Sequence, residues 1–261
     1  MNFLKKSLGQ NFLVDKNIIK KIINLTSIKN KNIIEIGPGL GSLTDEILNR
    51  NPKSLTIIEK DDNLVKKLKK KYNLIKSIKI INADILNLNI DTLLKKDSTV
   101  FGNLPYNISS QILVKFFRMN DKKKKLKNIV FMFQKEVGEK IAGEYLSSNY
   151  GRLAILTKYK FNILKKFLVS PYCFFPRPKV NSMVIHFQPI KKIKYNIKNV
   201  LNLEKVTNIF FSNKRKMINK NIKKILKLSQ IKKLKELKLD HRPSDIKPEM
   251  YFKITEMFEK T

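Results

Sequence analysis

Apolar and polar positions follow two alternating patterns along the first half of the chain. Short apolar runs rich in strand-forming residues lie at 32–36, 54–59, 77–83, 98–101 and 128–133. The segments between them place apolar residues at helical spacing, over 42–50, 62–72, 109–119 and 136–144. Strands that alternate with helices in this way are typical of a parallel, doubly wound α/β sheet. Ahead of the first strand, Asp15 can cap a helix with one apolar face.

The pattern changes twice in the second half. Two β-prone runs, 161–169 and 180–187, follow one another across a proline-containing connector. They predict a hairpin at the sheet edge, so the sheet is expected to be mixed but mostly parallel. After Pro189 strand signals almost vanish, and Lys-rich helices are predicted at 200–211, 214–228, 231–237 and beyond 248. We therefore predict two domains: an α/β domain over 1–189, including an N-terminal lead over 1–31, and a small all-α domain over 190–261.

Composition restricts the class of protein. Hydrophobic residues make up 42% and charged residues 29%, as in ordinary globular proteins. No apolar run approaches the roughly 18 residues of a membrane span, and the N-terminus lacks the apolar stretch of a secretory signal. A single cysteine, Cys173, excludes an intramolecular disulfide, and with only two histidines the chain offers few zinc ligands. We expect a cytoplasmic protein that binds no metal.

Charge indicates the kind of partner. The chain has 55 Lys and Arg against 21 Asp and Glu, a formal net charge of +34. Such an excess attracts polyanions and favours nucleic acid over a small neutral substrate. Part of it has a second explanation, because the abundance of Lys, Asn and Ile is typical of an AT-rich genome. An anionic membrane surface is the other partner that such charge could attract. The sequence does not favour it, because we find no basic amphipathic helix with aromatic anchors.

Polar residues that could carry chemistry follow four successive predicted strands. Glu35, Glu59, Asp84 and Asn103 stand at or just after these strand ends. Because ligands of open α/β sheets bind outside the carboxyl ends of the strands, we expect these side chains to surround one site.

A glycine-rich turn, Gly37-Pro38-Gly39-Leu40-Gly41, follows the first of these strands. Ser42 stands where a dinucleotide fingerprint needs its third glycine, and no Gly-Lys-Ser/Thr phosphate loop is present. Glu59 can accept both ribose hydroxyls, and Asp84 can accept from an adenine amino group. Ribose and adenine without a pyrophosphate describe S-adenosylmethionine. The alternative interpretation is that these acidic residues only cap strand ends.

The segment Asn103-Leu104-Pro105-Tyr106 suits an exocyclic amine on a planar base. The amide oxygen of Asn103 can accept from the amine, and the Leu104 carbonyl loses a competitor because Pro105 has no N–H. Tyr106 offers a ring for the base to stack on. An ordinary strand-to-loop turn would account for the same residues.

Together these motifs give the chain an end-to-end resemblance to the small-subunit ribosomal RNA adenine dimethyltransferase family of the KsgA type, with the Erm methylases as a sister group. The resemblance rests on these segments: Gly9-Gln10-Asn11-Phe12-Leu13, Glu35 to Gly41, Glu59, Asp84, Phe101 to Ser109, Gln134 to Val137, Tyr150 to Leu153 and Phe174 to Ser182. It implies a Rossmann-like, S-adenosylmethionine-dependent methyltransferase domain. It also implies a cofactor set of Asn11, Leu13, Gly37, Glu59, Asp84 and Asn103, and it places Phe174 on the second face of the target base. From the residues alone, 10–13 would be only a loop held by two apolar side chains.

The resemblance implies a substrate as well: two adjacent adenosines in the 3′-terminal hairpin loop of small-subunit rRNA, methylated at N6 during ribosome assembly. The protein is then expected to act as a monomer on the assembling particle. Its C-terminal helices, which include Lys214-Arg215-Lys216, are expected to hold rRNA phosphates. Three alternatives remain: an Erm-type enzyme for large-subunit rRNA, a DNA adenine methyltransferase, and a binding factor that uses the fold without catalysis.

Overall fold

The computed structural model describes residues 11–119 and 124–260, so Gly9 and Gln10 of the N-terminal motif lie outside the described residues. The strands in these ranges are β1 Phe12–Leu13, β2 Asn32–Ile36, β3 Ser54–Glu59, β4 Ile78–Asn82, β5 Ser98–Asn103, β6 Leu126–Gln134, β7 Phe161–Val169, β8 Phe174–Phe175 and β9 Ser182–Pro189.

The helices follow the predicted spacing over most of the chain. They are α1 Lys16–Ile23, α2 Ser42–Leu48, α3 Asp62–Lys71, α4 Ser109–Arg118, α5 Lys135–Ile141, α6 Arg152–Lys160, α7 Val200–Phe211, α8 Asn219–Ile222, α9 Leu228–Lys232 and α10 Pro248–Phe258. Asp15 caps α1 as predicted, since its carboxylate accepts the Ile18 N–H at 2.9 Å.

A mixed sheet of seven strands, ordered β4-β3-β2-β5-β6-β9-β7, forms the centre of the first compact unit. β4, β3, β2, β5 and β6 run parallel, and β9 pairs antiparallel with β6. β7 lies beside β9 at the sheet edge, where the hairpin was predicted. The prediction of a Rossmann-like domain with a mixed, mostly parallel sheet is confirmed.

Aromatic side chains fill the layer between the sheet and α4. Phe116 of α4 meets Phe131 of β6 edge-on, with ring centroids 5.3 Å apart, and Phe131 and Phe133 continue the contact along β6. All three rings are fully buried. Since buried aromatic rings remove large apolar areas from water, this cluster stabilises the packing of α4 on β6.

The compact units differ from the predicted domains in one segment. The first unit ends at Gly138 and resumes over Ile163–Pro189, whereas the second comprises Glu139–Asn162 together with the chain from Ile190 onward. Residues 139–162 join the C-terminal helices because their side chains pack there. Tyr150 donates its hydroxyl to the Ile246 carbonyl at 2.9 Å, and the ring of Tyr159 lies 5.2 Å from that of Phe252.

In the C-terminal region, α7 matches its prediction, whereas the helix predicted over 231–237 is found as α9 at Leu228–Lys232. The prediction of one helix over 214–228 is wrong. Within 214–227 only Asn219–Ile222 is α-helical, and α9 begins at Leu228. The segment before α8 bonds elsewhere: the Ile218 N–H donates to the His241 carbonyl at 2.9 Å. A backbone donor engaged in this way is lost to a continuous helix.

No helix in the described ranges has the length and apolarity that crossing a membrane requires. Across the same residues, His, Cys, Asp and Glu side chains do not gather in threes that could hold a metal ion.

The Tyr150 hydroxyl provides a stability test for the second unit. Tyr150→Phe removes the donor to the carbonyl of Ile246, a buried residue. We therefore expect the free energy of unfolding to fall by about 1–3 kcal/mol. Tyr145→Phe is the matched control, because the Tyr145 hydroxyl donates to the Asp245 carbonyl at 2.9 Å from a half-buried position where water can replace it. Urea unfolding of both variants measures the difference, and equal losses would contradict the prediction.

Candidate active site

One cavity lies at the carboxyl ends of β2, β3 and β5 and beside the loop after β4. Parallel strands end at the same sheet edge, so their terminal residues converge there, as the sequence predicted. The cavity lining includes these residues selected from the sequence: Asn11, Leu13, Gly37, Glu59, Asp84, Asn103, Leu104 and Tyr106. Phe174 is not among the lining residues.

The glycine-rich turn forms one wall of the cavity. Gly37 and Gly39 have φ angles of +65° and +60°, which favour glycine. At Gly39 a Cβ atom would also stand 2.5 Å from Cδ1 of Phe12, so the Phe12 ring packs directly on the turn. The turn therefore presents bare backbone to the cavity, and only glycine permits this contact.

Tyr72, which directly follows α3, holds the far end of the turn. Its hydroxyl donates to Oδ1 of Asp45 at 2.7 Å and lies 3.3 Å from the Gly41 carbonyl. Lys71 adds an ion pair to Oδ2 of Asp45 at 2.6 Å. Burial, followed by the hydrogen bond to Asp45, raises the pKa of Tyr72, so its hydroxyl stays protonated and continues to donate.

Glu35 lies behind the turn and does not line the cavity. Its Oε2 accepts from the Thr44 hydroxyl of α2 at 2.6 Å, while Oε1 is buried without a partner among the described residues. Burial raises the pKa of Glu35 to about 7. Near neutral pH this side chain is therefore partly protonated, which lowers the cost of keeping a carboxyl group in the core.

The two acidic residues that line the cavity have opposite environments. Oε1 of Glu59 accepts the backbone N–H groups of Lys60 and Asp61 at 2.8 and 2.9 Å, which holds this oxygen in place. Burial raises the pKa of Glu59. Asp84 binds the Lys60 ammonium at 2.8 Å and accepts the Leu86 N–H, and the bond from Lys60 lowers its pKa. An adenine amine at Asp84 would therefore share the carboxylate with Lys60, a residue that the sequence reading did not select.

Asn103 is the last residue of β5, and its side chain is oriented by the N-terminal segment. Its Nδ2 donates to the Asn11 carbonyl at 3.0 Å, which leaves Oδ1 as the acceptor beside the Leu104 carbonyl. Among the described residues none donates to that carbonyl, and Pro105 has no N–H to offer. Two acceptors are thus available at one end of the cavity, as an exocyclic amine requires.

Tyr106 is fixed by a buried residue of β9. Its hydroxyl lies 2.6 Å from Oγ of Ser182, a fully buried side chain, and burial raises the pKa of Tyr106. The hydrogen bond restrains the ring at its outer end, so the position of the ring is held before any base arrives. Ser182 belongs to a segment that carried the resemblance, but nothing in its residue type indicated this contact.

Phe174 occupies a different environment from the one expected. It is 4% exposed and belongs to the core cluster that includes Leu13 and Cys173, whereas its neighbour Phe175 is 58% exposed. In this conformation the Phe174 ring offers no free face to a base, so its stacking role stays a prediction.

The N-terminal segment reaches the site through a strand pairing that the sequence pattern did not predict. β1 pairs antiparallel with β8, with Phe12 opposite Phe175 and Leu13 opposite Phe174. Each of these strands has two residues, too few for a recognisable alternation of apolar and polar positions. Only the resemblance had placed Asn11 and Leu13 at the cofactor.

Comparisons of the sequence with a family model and with individual proteins agree with each other. The sequence model of the family described as "Ribosomal RNA adenine dimethylase" matches residues 1–260. A protein of Pelagibacter ubique named "Ribosomal RNA small subunit methyltransferase A" is 43% identical over 256 residues, which is 98% of this chain and 97% of the relative.

Two solved structures share the fold. A dimethyladenosine transferase from Plasmodium falciparum superposes with a TM-score of 0.79 at 24% identity, covering 93% of this chain and 95% of that one. The 23S rRNA methyltransferase ErmE superposes with a TM-score of 0.71 at 21% identity, covering 95% and 100%. At these identities the two structures show the fold alone.

Glu35 predicts how stability depends on pH. Its pKa rises from 4.5 in the unfolded chain to about 7 in the folded protein, so the folded state binds more protons between these values. The free energy of unfolding should therefore fall as pH rises from 4.5 to about 7, by on the order of 3 kcal/mol for this group. Above pH 7 the loss is complete.

Glu35→Gln isolates the effect, because glutamine retains an acceptor for Thr44 and does not titrate. Urea unfolding of both proteins without ligand, across this pH range, gives the wild-type minus variant difference at each pH. We expect that difference to decline up to about pH 7 and then level off. A constant difference would show that Glu35 does not titrate in this way.

Proposed function

The chain belongs to the ribosomal RNA adenine dimethylase family, and we propose that it transfers methyl groups to N6 of two adjacent adenosines in the 3′-terminal hairpin loop of small-subunit rRNA. The methyl donor is S-adenosylmethionine. One observation carries the proposal: the candidate donor-binding residues Gly37, Glu59 and Asp84 and the acceptor segment 103–106 line the same cavity.

The donor half suits a nucleoside without a pyrophosphate. Glu59 presents a carboxylate fixed by backbone amides, as bonding to a ribose requires, and Asp84 lies after the next strand. The bare backbone at Gly37 and Gly39 allows close approach of a ligand. When bound, S-adenosylmethionine supplies a methyl group already activated on a sulfonium, so no side chain has to form a covalent intermediate.

The acceptor half orients the amine. Oδ1 of Asn103 and the Leu104 carbonyl would each accept one hydrogen of the adenine amine, which draws its lone pair out of conjugation and directs it at the methyl group. Asn103 is held for this by its bond to Asn11. Such orientation is worth up to about 7–11 kcal/mol of the barrier.

The base has to leave its stack to reach these acceptors, and Tyr106 would bind one face of the extruded ring. The hydrogen bond to Ser182 keeps that ring in place. We place Phe174 on the other face, as the resemblance implies, and this role requires its side chain to turn out of the core. After one transfer and loss of a proton to solvent, the amine retains a single hydrogen, so a second transfer needs only one of the two acceptors.

Charge supports an rRNA substrate. The net charge of +34 suits a polyanion, and exposed Arg215 and Lys216 are candidates for phosphate contacts in the second unit. Lys214 is less available for phosphate contacts, since its ammonium donates to the Ser148 and Tyr150 carbonyls, each at 3.2 Å. We further propose that the substrate is the assembling small subunit in the cytoplasm and that the protein binds it as a monomer.

One experiment separates this function from its alternatives. The protein is incubated with labelled S-adenosylmethionine and one of three acceptors: small subunits lacking the modification, naked large-subunit rRNA, or DNA. We expect label at N6 of two adjacent adenosines near the small-subunit 3′ end, located by mass spectrometry of RNase fragments. Asn103→Ala is the control, expected to lose turnover. Label in large-subunit rRNA would indicate an Erm-type enzyme, and binding without label would indicate a factor that does not catalyse.

Tyr106 variants test the stacking step. Tyr106→Ala removes the ring, and we expect the methylation rate to fall roughly 5- to 100-fold. Affinity for S-adenosylmethionine, measured by calorimetry, should stay within about twofold. Tyr106→Phe is the matched variant that keeps the ring but loses the bond to Ser182, and it should retain most of the rate. Full activity of Tyr106→Ala on the mapped substrate would remove the ring from the mechanism.

A further inference from the structure

Two aromatic rings and an arginine stand exposed on the segment that joins β7 to β9. Tyr172 is 74% exposed and Phe175 is 58% exposed. The guanidinium carbon of Arg177 lies 3.8 Å from the centroid of the Tyr172 ring, which is a stacked cation–π contact. We name these three residues the aromatic platform.

The backbone of the platform is held firmly. The N–H groups of Val14 and Asp15 both approach the Cys173 carbonyl, at 2.9 and 3.3 Å. Phe175 pairs with Phe12 across β1 and β8, and the Phe12 ring packs on Gly39 of the glycine-rich turn. One strand pair therefore separates the platform from the wall of the candidate active site.

The core does not require these exposed rings. The side chains of β8 alternate, with Phe174 buried and Phe175 turned outward, so Phe174 and not Phe175 supplies the packing with the core. Arg177 stacks on Tyr172, and a planar cation over an exposed ring extends the flat surface and adds positive charge. Flat aromatic faces beside a guanidinium plane are what unpaired RNA bases stack on.

We propose that the aromatic platform binds unpaired nucleotides that flank the target adenosine in the rRNA loop, by stacking on Tyr172 and Phe175. The inference rests on the proposed function, because the loop nucleotides are those of its substrate. Stacking there holds the neighbours of the target base while that base enters the cavity. The platform thus acts on RNA affinity and leaves the methyl-transfer step to Asn103 and Tyr106.

The test compares steady-state kinetics on small subunits that lack the modification. For Tyr172→Ala and Phe175→Ala we expect the KM for small subunits to rise roughly 5- to 100-fold, as loss of a base–aromatic stack predicts. The kcat at saturating subunits and the KM for S-adenosylmethionine should stay within about twofold. Tyr172→Phe keeps a ring and should restore the wild-type KM.

Leu74→Ala is the matched control, since Leu74 is the most exposed large apolar residue described in the first unit, at 87%. It precedes the start of β4, whereas the cavity lies at the carboxyl ends of the strands. Ultraviolet crosslinking of the wild-type complex should link the 171–177 peptide to loop nucleotides next to the methylated adenosines. The outcomes separate the two proposals. Absence of methylation by the wild type overturns the proposed function and this inference with it.

Methylation by the wild type, with platform variants that match Leu74→Ala, overturns the platform alone. A second result would also overturn it: sedimentation showing that the variants lose self-association while their KM for small subunits is unchanged. The rings would then form an interface between copies of the chain.

Discussion

Two backbone pairs, Phe12 with Phe175 and Leu13 with Phe174, join segments that lie at opposite ends of the α/β part of the chain. Several features of the site depend on this short antiparallel contact. It sets the Phe12 ring on the glycine-rich turn and brings the Asn11 carbonyl to the amide of Asn103. Without it the Asn103 side chain would lose the donor–acceptor bond that decides which of its atoms faces the cavity. The geometry of the candidate site is therefore a long-range property of the fold and not of the tetrapeptide 103–106.

Orientation by a hydrogen-bond partner recurs through the site. Ser182 restrains Tyr106, Tyr72 and Asp45 hold the turn at Gly41, and the backbone amides after β3 hold Glu59. The partners of Tyr106 and Glu59 restrict side chains that have to be in place when ligands bind, and the contact at Gly41 restricts the backbone, so less conformational entropy is lost on binding. The pKa shifts agree with this arrangement: burial raises the pKa of Glu59, whereas Lys60 lowers that of Asp84, and the two carboxyl groups offer different acceptors.

The sequence predicted the sheet well, because buried parallel strands are continuous apolar runs and their polar end residues stand out against them. Asp15, the glycine-rich turn and Asn103 at the end of β5 were recognised for similar local reasons. The β1–β8 pair was not predictable from pattern, since two residues cannot show a period. The same limit applies to Phe174 and Phe175: adjacent identical residues point to opposite faces of a strand, and only the register decides which one is buried. In the second unit, Lys-rich segments look helical throughout, yet a tertiary bond from Ile218 to His241 interrupts one of them.

In the proposed mechanism, chemical selectivity and substrate choice reside in different parts of the molecule. The acceptor end of the cavity offers the Asn103 amide oxygen and the Leu104 carbonyl, and two such acceptors suit an amine with hydrogens to donate. Adenine and cytosine both carry such an amine, so this constellation alone cannot choose an rRNA position. Choice among adenosines has to come from contacts that act before the base enters, where charge attracts RNA without reading sequence. The exposed rings of Tyr172 and Phe175, which we propose to stack on bases free of pairing, would add the requirement for a loop that a charged surface cannot supply.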